Sequence, residues 1–195
     1  MAAKVYIAAV GDVPMLPVWP PERQAQLDAT VSEPQRLARY ALWKLLEHAL
    51  WDGLGLRLQE LKLQLQDGKW SCPECFFSLS HSDGAVAVAV SNAPVGVDIQ
   101  AHREPQPTLA KKILTQRQLD AYDRLPEAQK KIWLLERWCE KESLFKRSNE
   151  TLFQPKKWES DDAVFVTALT VEGAAYTLAV TDPAPEIKKL FSPKI

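Results

Sequence analysis

The chain has 195 residues, 46% of them hydrophobic, with seven tryptophans and a formal net charge of −1. That is enough apolar mass for one large domain or two small ones. So small a net charge excludes a global field that would draw the chain to nucleic acid or a membrane, so any anion site must be a local cluster. No apolar stretch is long enough to span a bilayer, and Met1-Ala2-Ala3-Lys4 leads straight into an alternating run rather than a signal peptide. The three cysteines, Cys72, Cys75 and Cys139, fit a reduced, cytoplasmic setting better than a disulfide framework. Cys72-Pro73-Glu74-Cys75 has C-x-x-C spacing, but no second pair completes a tetrahedral zinc site, and it reads as a loop that holds two thiols.

Val5 to Val10 reads as a first strand ended by Gly11-Asp12, followed by an irregular connection through Pro14, Pro17, Pro20 and Pro21. Ser32 can cap a helix with Pro34 in its first turn; Leu37, Ala41, Leu45 and Ala49 give its apolar stripe, and Gly53 lies past its end. Leu61, Leu63 and Leu65 alternate as a half-buried strand, and Asp67-Gly68-Lys69-Trp70 follows as a turn. Phe77 to Ser82 joins a strand end to a turn rich in hydroxyls and imidazole. Ala85 to Val90 is wholly apolar and predicts a strand covered on both faces. Ser91 to Pro94 turns the chain, and Val95 to Ile99 is expected to return as its antiparallel partner. His102 to Pro107 reads as a linker between two halves, and Leu109 to Tyr122 as one helix. Pro126 interrupts, and a long helix runs from Glu127 to Lys146. Val164 to Leu169 and Ala175 to Val180 predict a hairpin turned at Glu172-Gly173, and the tail from Pro183 is left without assignment.

Three short stretches carry chemistry. In the long helix, Trp138, Glu142 and Lys146 are four apart and share one face. Taken alone, Glu142 and Lys146 make an ordinary surface pair worth about 0.3 kcal/mol. Lys141 reads as a surface lysine and Trp138 as core. In Val95-Gly96-Val97-Asp98-Ile99 a lone carboxylate interrupts an apolar run, which is costly unless it is paired or bound to a cation. Its place near a strand end leaves it open to a ligand. Ser80-His81-Ser82 is the third; a lone turn histidine is most often bonded to a neighbour.

In this order and separation the three stretches resemble the 4′-phosphopantetheinyl transferase superfamily, which carries Ser-His-Ser, (Val/Ile)-Gly-(Val/Ile)-Asp and Trp-x-x-Lys-Glu-Ser-x-x-Lys elements. The chain is most similar to its longer, single-chain branch, which activates surfactin-type synthetases. The resemblance covers Arg36 to Lys146. It implies an α/β (α+β) fold of two similar halves, residues 1–101 and 102–195, related by a pseudo-twofold with the active site between them. It also implies transfer of the phosphopantetheine arm of coenzyme A to a serine of an apo acyl or peptidyl carrier protein, with release of 3′,5′-ADP. Magnesium is the implied metal, held by Asp98 and Glu142 with Gln100 beside them. Glu142 and Lys146 are the implied catalytic residues. Lys69, Ser80, His81, Arg36, Arg39 and Lys44 are the implied contacts to coenzyme A. The branch implies a monomer. Gln100 and Gln118 stand where the family usually has acidic residues. Those two glutamines motivate a second reading, a non-catalytic module that binds coenzyme A and carriers. A third is an unrelated magnesium phosphodiesterase.

Overall fold

The structure, a computed structural model, describes residues 2–12, 17–66, 68–148, 150–159 and 163–190. Pro14 of the expected connection and Asp67 of the expected turn lie outside the described residues. The protein is a mixed α/β fold, as expected. Strand β1 (Lys4–Ala9) is flanked by β5 (Ala85–Ser91), antiparallel, and by β9 (Glu186–Leu190), parallel; β4 (Phe76–Ser82) completes a four-stranded sheet of order β4-β5-β1-β9. A second sheet has the order β6-β8-β7, from Val97–Ala101, Ala174–Val180 and Phe165–Val171. The Glu172-Gly173 turn of its hairpin is left-handed at both residues, where glycine is strain-free.

Alternation along β1 sorts the core. Tyr6 and Ala8 face a cluster with Trp43, Leu46, Leu50 and Val88, supplied largely by helix α2 (Glu33–Leu54). Val5, Ile7 and Ala9 face the other way, onto Val97, Ile99, Leu178 and Val180 of the second sheet. The β5 strand is therefore buried on both faces throughout, as its apolar run predicted. On the second sheet's other side lies α5 (Glu127–Arg147), whose bounds match the expected helix.

Several elements differ from the sequence reading. A short helix α1 (Pro21–Asp28) starts on Pro21 within the expected irregular connection. The α2 helix ends at Gly55, left-handed with φ 71°, rather than before Gly53. Gly53 sits inside it because a Cβ there would lie 2.8 Å from Val90 Cγ2. Only Gln64–Gln66 of the expected leucine strand pairs, as β2, in a two-stranded hairpin with β3 (Lys69–Ser71). Residues 109–122 split into α3 (Leu109–Ile113) and α4 (Gln116–Asp123), because Thr115 and Gln118 close a capping box that starts a new helix. The tail left open contributes β9.

The largest correction concerns β6. It pairs with β8, not with β5. Its free edge lies along β4, and three serine hydroxyls take the place of a backbone ladder there. Ser78, Ser80 and Ser82 accept from the backbone N–H of Val97, Ile99 and Ala101 at 3.0, 3.2 and 3.0 Å. The Ser80-His81-Ser82 segment is strand, not turn; the turn follows at Asp83-Gly84. Strand pairing crosses the expected division at residues 101 and 102 in both directions, since β6 joins β8 and β9 joins β1.

Candidate active site at the β4–β6–α5 junction

Because Val97 and Ile99 turn into the core between the sheets, Asp98 points to the opposite face, beneath α5. It is 1% exposed, so its charge has to be met by the protein. Lys146 Nζ donates to Oδ1 at 2.7 Å, Ser80 Oγ donates to the same oxygen at 2.7 Å, and Gln100 Nε2 donates to Oδ2 at 2.9 Å. Ser80 is fully used: it also accepts from Lys146 Nζ at 2.9 Å and from the Ile99 N–H. The carboxylate is on the second residue of β6, not near the far end of a Val95–Ile99 strand, and it is buried rather than open to a ligand. Contact with the outside runs through Lys146, whose side chain is 25% exposed.

Gly96 is what brings α5 close enough. A Cβ at this position would fall 1.8 Å from the Ser143 carbonyl oxygen and 2.8 Å from the Arg147 nitrogen. The helix backbone thus rests directly on the strand. The Cys139 thiol, fully buried one turn earlier, donates to the Asp98 backbone carbonyl at 3.1 Å. Across this contact Glu142 is half-buried, and burial, then the neighbouring Asp98 charge, raises its carboxyl above the usual range; Lys146 works against that rise. Trp138, at the start of the same stripe, packs edge-on to Phe153 at 5.5 Å, in keeping with a core role. Lys141 corrects the surface-lysine reading. It is 1% exposed, and its ammonium donates to the carbonyls of Pro155, at 3.0 Å, and Trp158. Burial pushes it down to about 8. It pins the 155–158 turn to α5.

The expected coenzyme A contacts fall into two groups. His81 follows Ser80 on β4 but projects to the accessible side. Partial desolvation, then repulsion from Lys146 and Arg39, holds its imidazole below the ordinary range. With Glu33, Leu37, Ala38 and Asp83 it lines a cleft of about 470 Å³ at the start of α2. Arg39 donates to Thr30 Oγ1 at 3.4 Å, and its charge reaches both His81 and Arg23. The Arg36 Nε is buried and has no hydrogen-bond partner among the described residues. The other group is committed elsewhere: Lys44 pairs with Glu47 at 2.5 Å, and Lys69 donates to the Glu150 carbonyl at 2.6 Å while lying 4.5 Å from the Phe145 ring centre. Asn149, in the segment after Lys146, lies outside the described residues.

A family model described as the 4′-phosphopantetheinyl transferase superfamily matches residues 94–186. The match supports that superfamily. It takes in Asp98, Gln100, Glu142 and Lys146 of the junction, but not Ser80, which meets them there from β4, nor His81, Lys69 and α2. No curated protein matches the chain.

The donor set suits the metal this superfamily implies. Among the described residues no group of three or more His, Cys, Asp or Glu is placed to hold an ion. Magnesium needs no such group, because it keeps several waters and takes one or two carboxylates. Glu142, raised by burial first and by the Asp98 charge second, and Asp98 itself are two neighbouring carboxyls that a hard divalent cation would relieve. Gln100 gives Asp98 its amide nitrogen here, which makes it a partner of the carboxylate. Gln118 is used differently: buried, it accepts from the Thr115 N–H at 3.1 Å and so serves the start of α4. Three contributors were missed at the sequence level: Ser78, Ser82 and Cys139. The Ser-x-Ser-x-Ser alternation was the available signal for the first two.

Proposed function

We propose that this protein transfers the 4′-phosphopantetheine arm of coenzyme A to a serine of an apo acyl or peptidyl carrier protein and releases 3′,5′-ADP. The observation that supports it most is the convergence of Lys146 and Ser80 on the buried Asp98, with Glu142 one helical turn away on the same stripe. In this reading the carrier hydroxyl attacks the nearer phosphorus of the pyrophosphate, and the bond to 3′,5′-ADP breaks. Glu142, whose affinity for a proton is raised, takes the serine proton directly or through a water. Lys146 sets its ammonium against the phosphate charge as it shifts. Ser80 and Gln100 fix the Asp98 carboxylate. A magnesium ion held by Asp98 and Glu142 would neutralise charge on the pyrophosphate. Arg39, Arg36, Lys44 and Lys69 are read as the phosphate-contacting cations, Lys44 and Lys69 once released from Glu47 and the Glu150 carbonyl, and His81 as a neutral hydrogen-bonding contact beside them.

The finer picture belongs to the same proposal: a monomer of the longer, surfactin-synthetase-activating branch, acting in the cytoplasm. Its residues 1–101 and 102–195 are read as pseudo-twofold halves. What speaks for this is that each larger sheet carries one long helix, α2 or α5, and that the site lies where the sheets meet. One observation favours a non-catalytic module instead: both Asp98 oxygens already hold partners from the chain itself. Mass spectrometry of an apo carrier incubated with coenzyme A, magnesium and the protein separates the readings. Gain of one phosphopantetheine supports transfer. Binding without gain supports the module. Cleavage of coenzyme A without a carrier supports a phosphodiesterase.

A further inference from the structure

Cys72 and Cys75 flank the Pro73-Glu74 bend between β3 and β4. Their sulfurs lie 3.5 Å apart, and the Cys72 thiol also points at the Cys75 carbonyl at 3.6 Å. Cys72 is half-buried and can be reached; Cys75 is buried in the core beneath α2. Hydrogen bonding with the Cys75 thiol, helped by the local backbone, brings Cys72 down to about 7 against the effect of burial. The same bond, then burial, pushes Cys75 up. An accessible sulfur that ionises near neutrality beside a protonated, sheltered one is the arrangement of an attacking and a resolving thiol. The sequence alone read this segment as a loop with two thiols.

We propose that Cys72 and Cys75 form a reversible disulfide, with Cys72 as the attacking sulfur, Cys75 as the resolving one and a small-molecule disulfide as the oxidant. Cys72 Sγ attacks one sulfur of the small disulfide; that S–S bond breaks, one small thiolate leaves, and a mixed disulfide forms on Cys72. Cys75 then loses its proton to solvent, and its sulfur attacks the Cys72 sulfur and expels the second small thiolate. Two protein thiols are oxidised to one S–S bond, and one small disulfide is reduced to two thiols. Closing the gap from 3.5 Å to a bond of about 2 Å ties the end of β3 to the start of β4. The β2–β3 hairpin leans on the rest of the protein through Trp70 against Trp43, at 5.4 Å, and through Lys69 on the Glu150 carbonyl. The disulfide therefore stiffens the hairpin that bears Lys69, whatever reaction the protein performs.

The test uses the full chain with oxidised glutathione, followed by alkylation in denaturant, intact mass and peptide mapping. The protein is expected to lose two hydrogens, and its alkylatable thiols to fall from three to one, left at Cys139. Dithiothreitol restores all three. Cys72→Ser gives no cross-link, Cys75→Ser stops at a glutathione adduct on Cys72, and amide exchange across 64–71 slows on oxidation of the wild type. A wild type that keeps the adduct, does not react, cross-links through Cys139 or between chains, or unfolds on oxidation overturns the proposal. Unchanged exchange in the oxidised protein overturns the stiffening.

Discussion

Gly96→Ala adds one methyl group where the structure has no room for it. The new Cβ would start 1.8 Å from the Ser143 carbonyl oxygen, and real contacts of this kind do not fall below 3.0 Å. The α5 helix must then retreat from β6 by at least 1.2 Å, and because the obstacle is backbone, no rotamer change relieves it. Overpacking of this kind costs about 1–3 kcal/mol, or roughly 2–12 °C in Tm for a chain of this size. The retreat is passed to the site. If Lys146 moves with its helix, its 2.7 Å bond to Asp98 lengthens to about 3.9 Å and is lost. A displacement of about 1 Å at a reacting centre costs on the order of 10²-fold in turnover. The assay pairs thermal unfolding, without ligands, with carrier turnover measured well below the variant's Tm. Gly53→Ala is the control: its Cβ crowds the Val90 side chain under α2, away from Asp98, and it is expected to lower Tm but not turnover. If Gly96→Ala keeps both its Tm and its turnover, helix approach does not position Lys146.

Glu142→Gln is expected to lower turnover by about 10²–10⁴-fold. Since the folded carboxyl is raised, the unfolded chain gives up its proton first as pH rises, and folding stability falls from the ordinary glutamate value through the folded one. At neutral pH the charge is therefore a cost, and the variant should melt higher than wild type at pH 7 but not at pH 4; a lower Tm at pH 7 would contradict this. Gln100→Glu places a carboxylate against Asp98 Oδ2, so Tm should fall without magnesium and rise with it by more than in wild type; equal shifts would remove Gln100 from the ion's surroundings. Ser78→Ala orphans the buried Val97 N–H and is expected to cost about 1–3 kcal/mol in urea unfolding with turnover preserved; an unchanged midpoint would deny the serine bridge its role.

The demand of Asp98 for partners was legible because burial of a charge is written in composition; the rest of the candidate site came from the family resemblance. Asp98 stands alone in an apolar run, and the structure gives it three donors. The α5 boundaries were legible because no Gly or Pro interrupts it and Pro126 precedes it. Strand partners were not. The β6 edge is met by serine side chains of β4 and by a strand far along the chain, and neither leaves a mark in the local pattern of Val95 to Ile99. Lys141 was misread for the same reason: its charge is satisfied by carbonyls at 155 and 158, which only the fold brings to it. The break between α3 and α4 was written in Thr115 and Gln118, but a helical pattern on both sides hid it.

The most direct measurement is the ratio of 3′,5′-ADP released to carrier serine modified, followed over time with wild-type protein, coenzyme A, magnesium and apo carrier. The account predicts one ADP for each serine, with neither product accumulating when the carrier is left out. Release of ADP without a modified serine, or neither product over many hours, would contradict it.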